Sequence, residues 1–261
     1  MIIASRSPDD PDKAAAPSAV VMDAATTALG ALNKWFTLQT CEMGCSNPNL
    51  SEIFALRYRT YCEERGFLPI SEYPDGLERD PFDQRSAHFT ARNTQGNIAG
   101  TVRLVLSPGG EPFPFEYHCP PFENFLPPPA SLSAEVSRLA VSRSYRRRTG
   151  DTWFGVNESD GMPAPKHLPG QERRSNSPLL VLGLYRQMYR YSCEKGIQYW
   201  YAAMEKSLIR ILSRFDFVFE PIGEERDYYG PVTPYLADLR EIERRLQRTR
   251  PELLRWFQHA P

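Results

Sequence analysis

Glu135 and Arg138 stand in one apolar alternation, formed by Leu132, Ala134 and Val136, then Leu139 and Val141. Alternation of this kind marks a strand. Charged groups inside a strand are costly to bury and are usually paired or put to use. An acid and a guanidinium in one cleft supply proton transfer and anion binding. Residues three apart in a regular strand point to opposite faces, so shared chemistry requires a bulge or bend between these two. A structural ion pair is the plain alternative. Arg103, on the apolar segment before, adds a second guanidinium. Ser137 lies between the pair, but no neighbouring base marks it as a nucleophile. The chain has no Gly-x-Ser-x-Gly elbow and no Cys–His pairing of the kind covalent catalysis uses.

Those residues need elements to hold them. Lys34 to Thr40 reads as a first strand. Ser51 caps a helix whose apolar positions run through Ile53, Phe54, Leu56, Tyr58 and Tyr61, with Gly66 as its stop. Leu68 to Asp83 is an acidic loop broken by Pro69, Pro74, Gly76 and Pro81. Ser86–Arg92 and Ile98–Leu106 form a hairpin around Asn93-Thr94-Gln95-Gly96-Asn97. Pro108 to Pro129 is irregular, and its aromatic residues, Phe113, Phe115, Phe122 and Phe125 among them, read as anchors to the core or as the lining of an apolar tunnel. After the Glu135 strand, residues 144–177 form an insertion expected to be partly mobile. A strongly apolar helix starts at Pro178 and stops at Gly196. Ile197–Met204 is a strand, Ser207–Phe215 a helix, Phe217–Ile222 a strand and Val232–Leu239 another. The order predicts an α/β (α+β) domain over residues 31–239, a central mixed sheet flanked by helices. A disordered or weakly helical tail, residues 1–30, precedes it, and a C-terminal helix, 240–261, follows.

A net charge of −1 excludes bulk attraction to nucleic acid. The Arg146-Arg147-Arg148 triplet has no recognition-helix context, so it is not read as a DNA contact. Five cysteines, an odd number, without a secretory apolar run point to reduced thiols and a cytoplasmic location. Cys41 and Cys45 lack the second pair a metal site needs, so no metal is expected. No stretch is long enough to span a membrane.

Four blocks carry a family resemblance: Leu56-Arg57-Tyr58-Arg59-Thr60-Tyr61, Asp80-Pro81-Phe82-Asp83, Gly100-Thr101-Val102-Arg103-Leu104, and Glu135-Val136-Ser137-Arg138-Leu139-Ala140-Val141. In this order they resemble the acyl-homoserine-lactone synthases of the GNAT superfamily. Leu56 to Phe67, with Cys62, Glu64 and Gly66, and the Tyr73-Pro74-Asp75-Gly76 turn resemble more closely the PEP-CTERM/exosortase system-associated acyltransferases, regarded as N-acyl amino acid synthases. The resemblance implies a GNAT-like fold. It implies transfer of a long acyl chain from the phosphopantetheine thioester of an acyl carrier protein, with acyl-CoA as the other donor, to the amine of an amino acid or related small molecule. No tightly bound cofactor is implied. Two departures weigh against S-adenosylmethionine as acceptor: Phe67 stands where the lactone synthases carry Trp, and those enzymes lack so long an insertion.

In that frame Glu135 receives the amine proton. Arg103 and Arg138 either hold an acceptor carboxylate or organise acidic loop groups. Asp80 and Asp83 pair with Arg57 and Arg103 to order the acceptor pocket. Tyr61, Phe67, Ser137 and Phe122 are expected against substrate, and an apolar channel past Phe113, Phe122 and Phe125 would take the chain. Arg146, Arg147 and Arg148 would dock the acidic carrier protein. Two other readings stand beside this one. A lactone synthase would consume S-adenosylmethionine. A non-catalytic acyl-lipid-binding module would keep the fold without turnover.

Overall fold

A computed structural model describes Gly30 and residues 32–42, 49–146 and 177–259. The expected tail, most of the 144–177 insertion, Cys45, Arg147 and Arg148 lie outside the described residues.

The strands are β1 (Phe36–Glu42), β2 (Ser86–Asn93), β3 (Ile98–Leu106), β4 (Ser133–Val141), β5 (Tyr199–Met204), β6 (Glu220–Pro221), β7 (Arg226–Asp227) and β8 (Pro231–Asp238). The helices are α1 (Leu32–Trp35), α2 (Asn49–Tyr58), α3 (Ser177–Lys195), α4 (Lys206–Arg214), α5 (Leu239–Thr249) and α6 (Pro251–Gln258). The sheet runs β1-β2-β3-β4-β5-β8-β6, with β7 paired to β8. Neighbours are antiparallel except β4 and β5, which are parallel and joined through α3, so the sheet is mixed as the sequence predicts.

The apolar stripe of α3 makes it the core helix. Leu179, Leu180, Leu182, Leu184, Tyr185 and Met188 are buried against Phe89, Val102, Leu104 and Trp200. Fully burying each large side chain of this kind stabilises by about 1.5–3 kcal/mol. Gly100 lets α3 approach β3 closely, since a Cβ there would stand 2.6 Å from Leu180 Cδ2. A second apolar cluster on the other side of the sheet joins Phe113, Phe115, Cys119, Tyr201, Ile222 and Val232.

Two expected elements differ. The predicted strand Phe217–Ile222 shrinks to Glu220–Pro221, because Phe217 and Phe219 join the helix-side core instead of pairing with β8. The C-terminal helix is two helices. Arg250 precedes Pro251 and leaves helical geometry at φ −150°, ψ 62°, as the clash of a proline ring with the preceding residue dictates. Among the described residues no helix is long and apolar enough to cross a membrane.

Candidate active site

β4 pairs with β5 only at Ser133–Tyr199, Ala134–Trp200 and Glu135–Tyr201. Beyond Glu135 the two strands part, and a cavity of about 430 Å³ opens between them. Val136, Ser137, Arg138 and Leu139 line one wall, Ala203, Met204 and Glu205 the other. The slot crosses the sheet. Trp200 belongs to the helix-side core and Tyr201 to the opposite cluster, as alternate strand residues must. Glu135 pairs in register with Tyr201 and accepts the Phe115 N–H at 2.9 Å, so it stands on the face away from α3. Val181, Tyr185, Leu208 and Ile211 line the slot on the helical side.

The bulge that the Glu135–Arg138 spacing requires is present. Thr101 pairs with Ala140 but Arg103 pairs with Ser137, so β4 carries an extra residue there. Arg138 takes it up with φ 53°, a conformation that costs a non-glycine residue roughly 1–2 kcal/mol. Both Glu135 and Arg138 therefore line the slot.

Arg138 does not point freely into solvent. Its Nε donates to Glu78 Oε1 at 3.1 Å and its Nη2 to Asp80 Oδ2 at 3.1 Å. Arg103 Nη1 donates to Asp80 Oδ1 at 2.5 Å and to Asp83 Oδ1 at 2.8 Å. Arg57 grips Asp83 with two nitrogens, at 2.6 and 3.2 Å, and Glu78 Oε2 with Nε at 2.5 Å. The three arginines and three carboxylates form a closed, alternating ring. Asp80-Pro81-Phe82-Asp83 is shaped for it locally. Asp80 caps the short turn Pro81–Arg85 by accepting the Phe82 N–H, and Asp83 accepts the Asp80 N–H. Burial alone would raise all three acids. The arginines outweigh it and hold Glu78, Asp80 and Asp83 below the usual carboxylate range. Burial works against the Arg138 charge as well, but Glu78 and Asp80 keep it firmly protonated. His88 lies 3.7 Å from Asp83, but burial pulls its pKa to about 4. It is neutral and no part of the ion ring.

The ring is charge-balanced without Glu135. That carboxyl is only 2% exposed and has no dedicated counter-ion among the described residues. Burial pushes its pKa up to about 8, while the Phe115 N–H and the charges of Arg103 and Arg138 offset this only in part. A carboxyl poised near neutrality is what proton transfer requires.

Tyr61, Phe67, Ser137, Arg138 and Glu135 reach the slot, as does Arg146 at its rim. The turn Arg59–Glu64 is a π-helix that continues α2 and carries Tyr61, whose hydroxyl donates to the Leu139 carbonyl at 3.0 Å. Ser137 Oγ accepts from Arg103 Nε at 3.0 Å, which occupies it as a support. Arg146 bonds the Val141 carbonyl at 2.7 Å and pairs with Glu64. Arg57, Asp80, Asp83 and Arg103 do not line the slot. They stand behind its wall as positioning groups, in the ion-pair network expected for them.

Phe122 is also corrected. It is 40% exposed and does not line the slot. Its loop is tied down by the backbone, with the Phe122 N–H on the Ile222 carbonyl, so the ring has no anchoring to do. Phe113 and Phe125 pack on Tyr201 at 5.4 and 6.5 Å and do not line the slot. The apolar end of the slot runs toward α3 and α4 instead.

Glu78, Tyr228 and Tyr229 are among the site residues that sequence reasoning missed. Glu78 is fully buried in the ion ring. Tyr228 and Tyr229 line the slot from the turn after β7, where Tyr229 takes φ 56° and Gly230 φ 99°. Arg138 lies between the Tyr61 and Tyr229 rings, 5.6 and 5.7 Å from their centroids. The readable signal was Asp227-Tyr228-Tyr229-Gly230, turn chemistry carrying two aromatic rings.

Residues 56–154 match the family described as Acetyltransferase (GNAT) domain. Among curated proteins the chain is similar to an acyl-homoserine-lactone synthase of Aeromonas salmonicida, 23% identical over 176 residues, covering 67% of this chain and 72% of the other. Among solved structures it resembles TofI in a ternary complex with an inhibitor and MTA, with a TM-score of 0.57 and 18% identity over 83% of this chain and 96% of that one. It also resembles BjaI, a CoA-dependent acyl-homoserine lactone synthase solved with SAM and isopentyl-CoA, with a TM-score of 0.53 and 20% identity over 82% and 89%. The expected fold is therefore the observed one: a GNAT-like α/β domain.

Proposed function

We propose that the chain is an N-acyltransferase that moves a long acyl chain from an acyl-carrier-protein thioester to the amine of an amino acid or related small molecule. One observation carries the reading. Glu135, buried and raised to about 8, stands where β4 and β5 part into a slot with an apolar far end. Aminolysis of a thioester needs a neutral amine, a polarised carbonyl and a protonated leaving thiol. The acceptor amine approaches from the Glu135 face and gives up its proton to that carboxylate. The donor enters from the helical face, and its thioester carbonyl meets the β4 edge that β5 no longer pairs. Backbone N–H groups on such an edge are natural donors to an oxyanion. The thiol leaves without a covalent enzyme intermediate.

The ion ring bears on the acceptor. Each of its arginines is already engaged by two carboxylates, so an acceptor carboxylate would have to share one of them. Their role is to hold Arg138 and the bulge in place, and with them the wall of the slot. A carrier-protein donor suits Arg146 at the slot rim and the two arginines that follow it in the sequence, and a cytoplasmic location follows from that donor.

The test is mass spectrometry of lipids from a heterologous host expressing the chain. A new N-acylated amine supports the reading and identifies the acceptor. A homoserine lactone would replace it with the lactone synthase alternative. An unchanged lipid profile would favour a binding module.

A further inference from the structure

A second cavity, a groove of about 590 Å³, lies between β1 and α3 and shares no lining residue with the slot. β1 is the edge of the sheet and pairs only with β2 among the described residues. On the helix side the groove is lined by Arg186 and, one turn further on, Arg190, which share a helix face. Arg186 is 5% exposed. Its Nη2 donates to the His259 carbonyl, and its guanidinium carbon lies 4.5 Å from the centre of the Trp256 ring. Stack and bond together fix the guanidinium in place, yet its Nε has no hydrogen-bond partner. Among the described residues neither arginine forms an ion pair. Burial, and then the neighbouring Arg190 charge, lower the Arg186 pKa. A pre-oriented guanidinium beside a second one, with no acid between them, attracts an anion.

The acids of the groove do not fill that role. Glu42 is held by Lys195 at 3.4 Å and by the Tyr191 hydroxyl. Glu194 follows Arg190 by one turn, and among the described residues no ion pair joins the two. Asn33 and Thr37 add neutral donors to the lining. A carboxylate is satisfied by one guanidinium fork, whereas a phosphate has oxygens enough for two arginines with amide and hydroxyl donors around them.

We propose that this groove is an anion site in which Arg186 and Arg190 hold a phosphate group, either the free ion or the monoester of a small organic molecule. The site stands apart from the slot and does not depend on the acyl-transfer reading.

The test is titration calorimetry of the full chain with inorganic phosphate, glycerol phosphate and acetate, at a constant ionic strength set with chloride. Wild type should bind phosphate, and Arg190→Gln should weaken that binding by about tenfold or more, the loss expected for hydrogen bonds to a charged group. Whichever of inorganic phosphate and glycerol phosphate binds more tightly identifies the source of the group. Acetate binding as tightly as either overturns the phosphate assignment. Absence of phosphate binding in wild type overturns the site, as does binding that survives unchanged in Arg190→Gln, which would place the anion elsewhere on the chain. In chloride alone Arg190→Gln should melt no lower than wild type, because it removes a repulsion and breaks no bond. A lowered melting temperature there overturns the proposal, since Arg190 would then have a structural partner.

Discussion

Replacing Glu135 with Gln keeps the shape of the protonated side chain and removes only its ability to ionise. The Phe115 N–H still finds an oxygen, so the variant should fold. Two effects follow from a carboxyl raised to about 8 and buried. The first is on catalysis: loss of a general base costs typically 10²–10⁴-fold, so kcat/KM should fall by at least about 100-fold, with carrier-protein binding unchanged. The second is on stability. The folded protein holds the Glu135 proton more tightly than the unfolded chain, whose carboxyl titrates near 4.5. Between those values the native state binds more protons, so wild type loses stability as pH rises, by up to about 1.4 kcal/mol per pH unit. Glu135→Gln should lack that slope and overtake wild type in relative stability toward pH 8. Urea unfolding of both proteins across pH 5 to 9, with steady-state thiol release alongside, reads both effects. Near-wild-type turnover by the folded variant refutes the base assignment. Identical pH slopes for the two proteins refute the burial argument beneath it.

Glu78→Gln leaves Arg57 and Arg138 short of a charge in a largely buried ring, and should destabilise by about 3 kcal/mol in chemical denaturation; a loss below about 1 kcal/mol would show that the ring is not closed in solution. The acid limb has the opposite sign to Glu135. Glu78, Asp80 and Asp83 are held below their ordinary values, so their contribution is present above about pH 4 and lost as pH falls through that range; a flat unfolding free energy from pH 5 to 3 would contradict it. Replacing Arg146, Arg147 and Arg148 together with Ala should raise KM for the carrier-protein donor in a salt-sensitive way and affect short acyl-pantetheine donors less; an equal response from both donors removes the docking role.

Much of the frame was legible because it rests on local signals. The strand alternation around Glu135, the Asn93–Asn97 turn and the Pro178–Gly196 limits of α3 all appear where sequence patterning puts them. The bulge followed from one constraint, that Glu135 and Arg138 could share a cleft only if β4 gained a residue between them. Glu78 was hidden because it sits in an aperiodic loop, and its partner Arg57 is supplied by a helix that only the tertiary fold brings alongside. Phe122 misled because an aromatic residue in a proline-rich loop can wall an apolar channel, whereas this loop, tied by a backbone bond to Ile222, leaves the ring off the slot. The break at Arg250 was readable from Pro251 and was masked by the continuous amphipathic pattern on either side. The slot itself is a departure of two strands distant in sequence, and no local pattern encodes it.

The central claim is tested most directly by incubating the purified chain with a long-chain acyl carrier protein thioester and a pool of amino acids, and following free thiol and N-acylated product together. The account predicts thiol release matched one for one by an N-acyl amino acid, with no S-adenosylmethionine present. Thiol release only when S-adenosylmethionine is supplied, accompanied by methylthioadenosine, would contradict it.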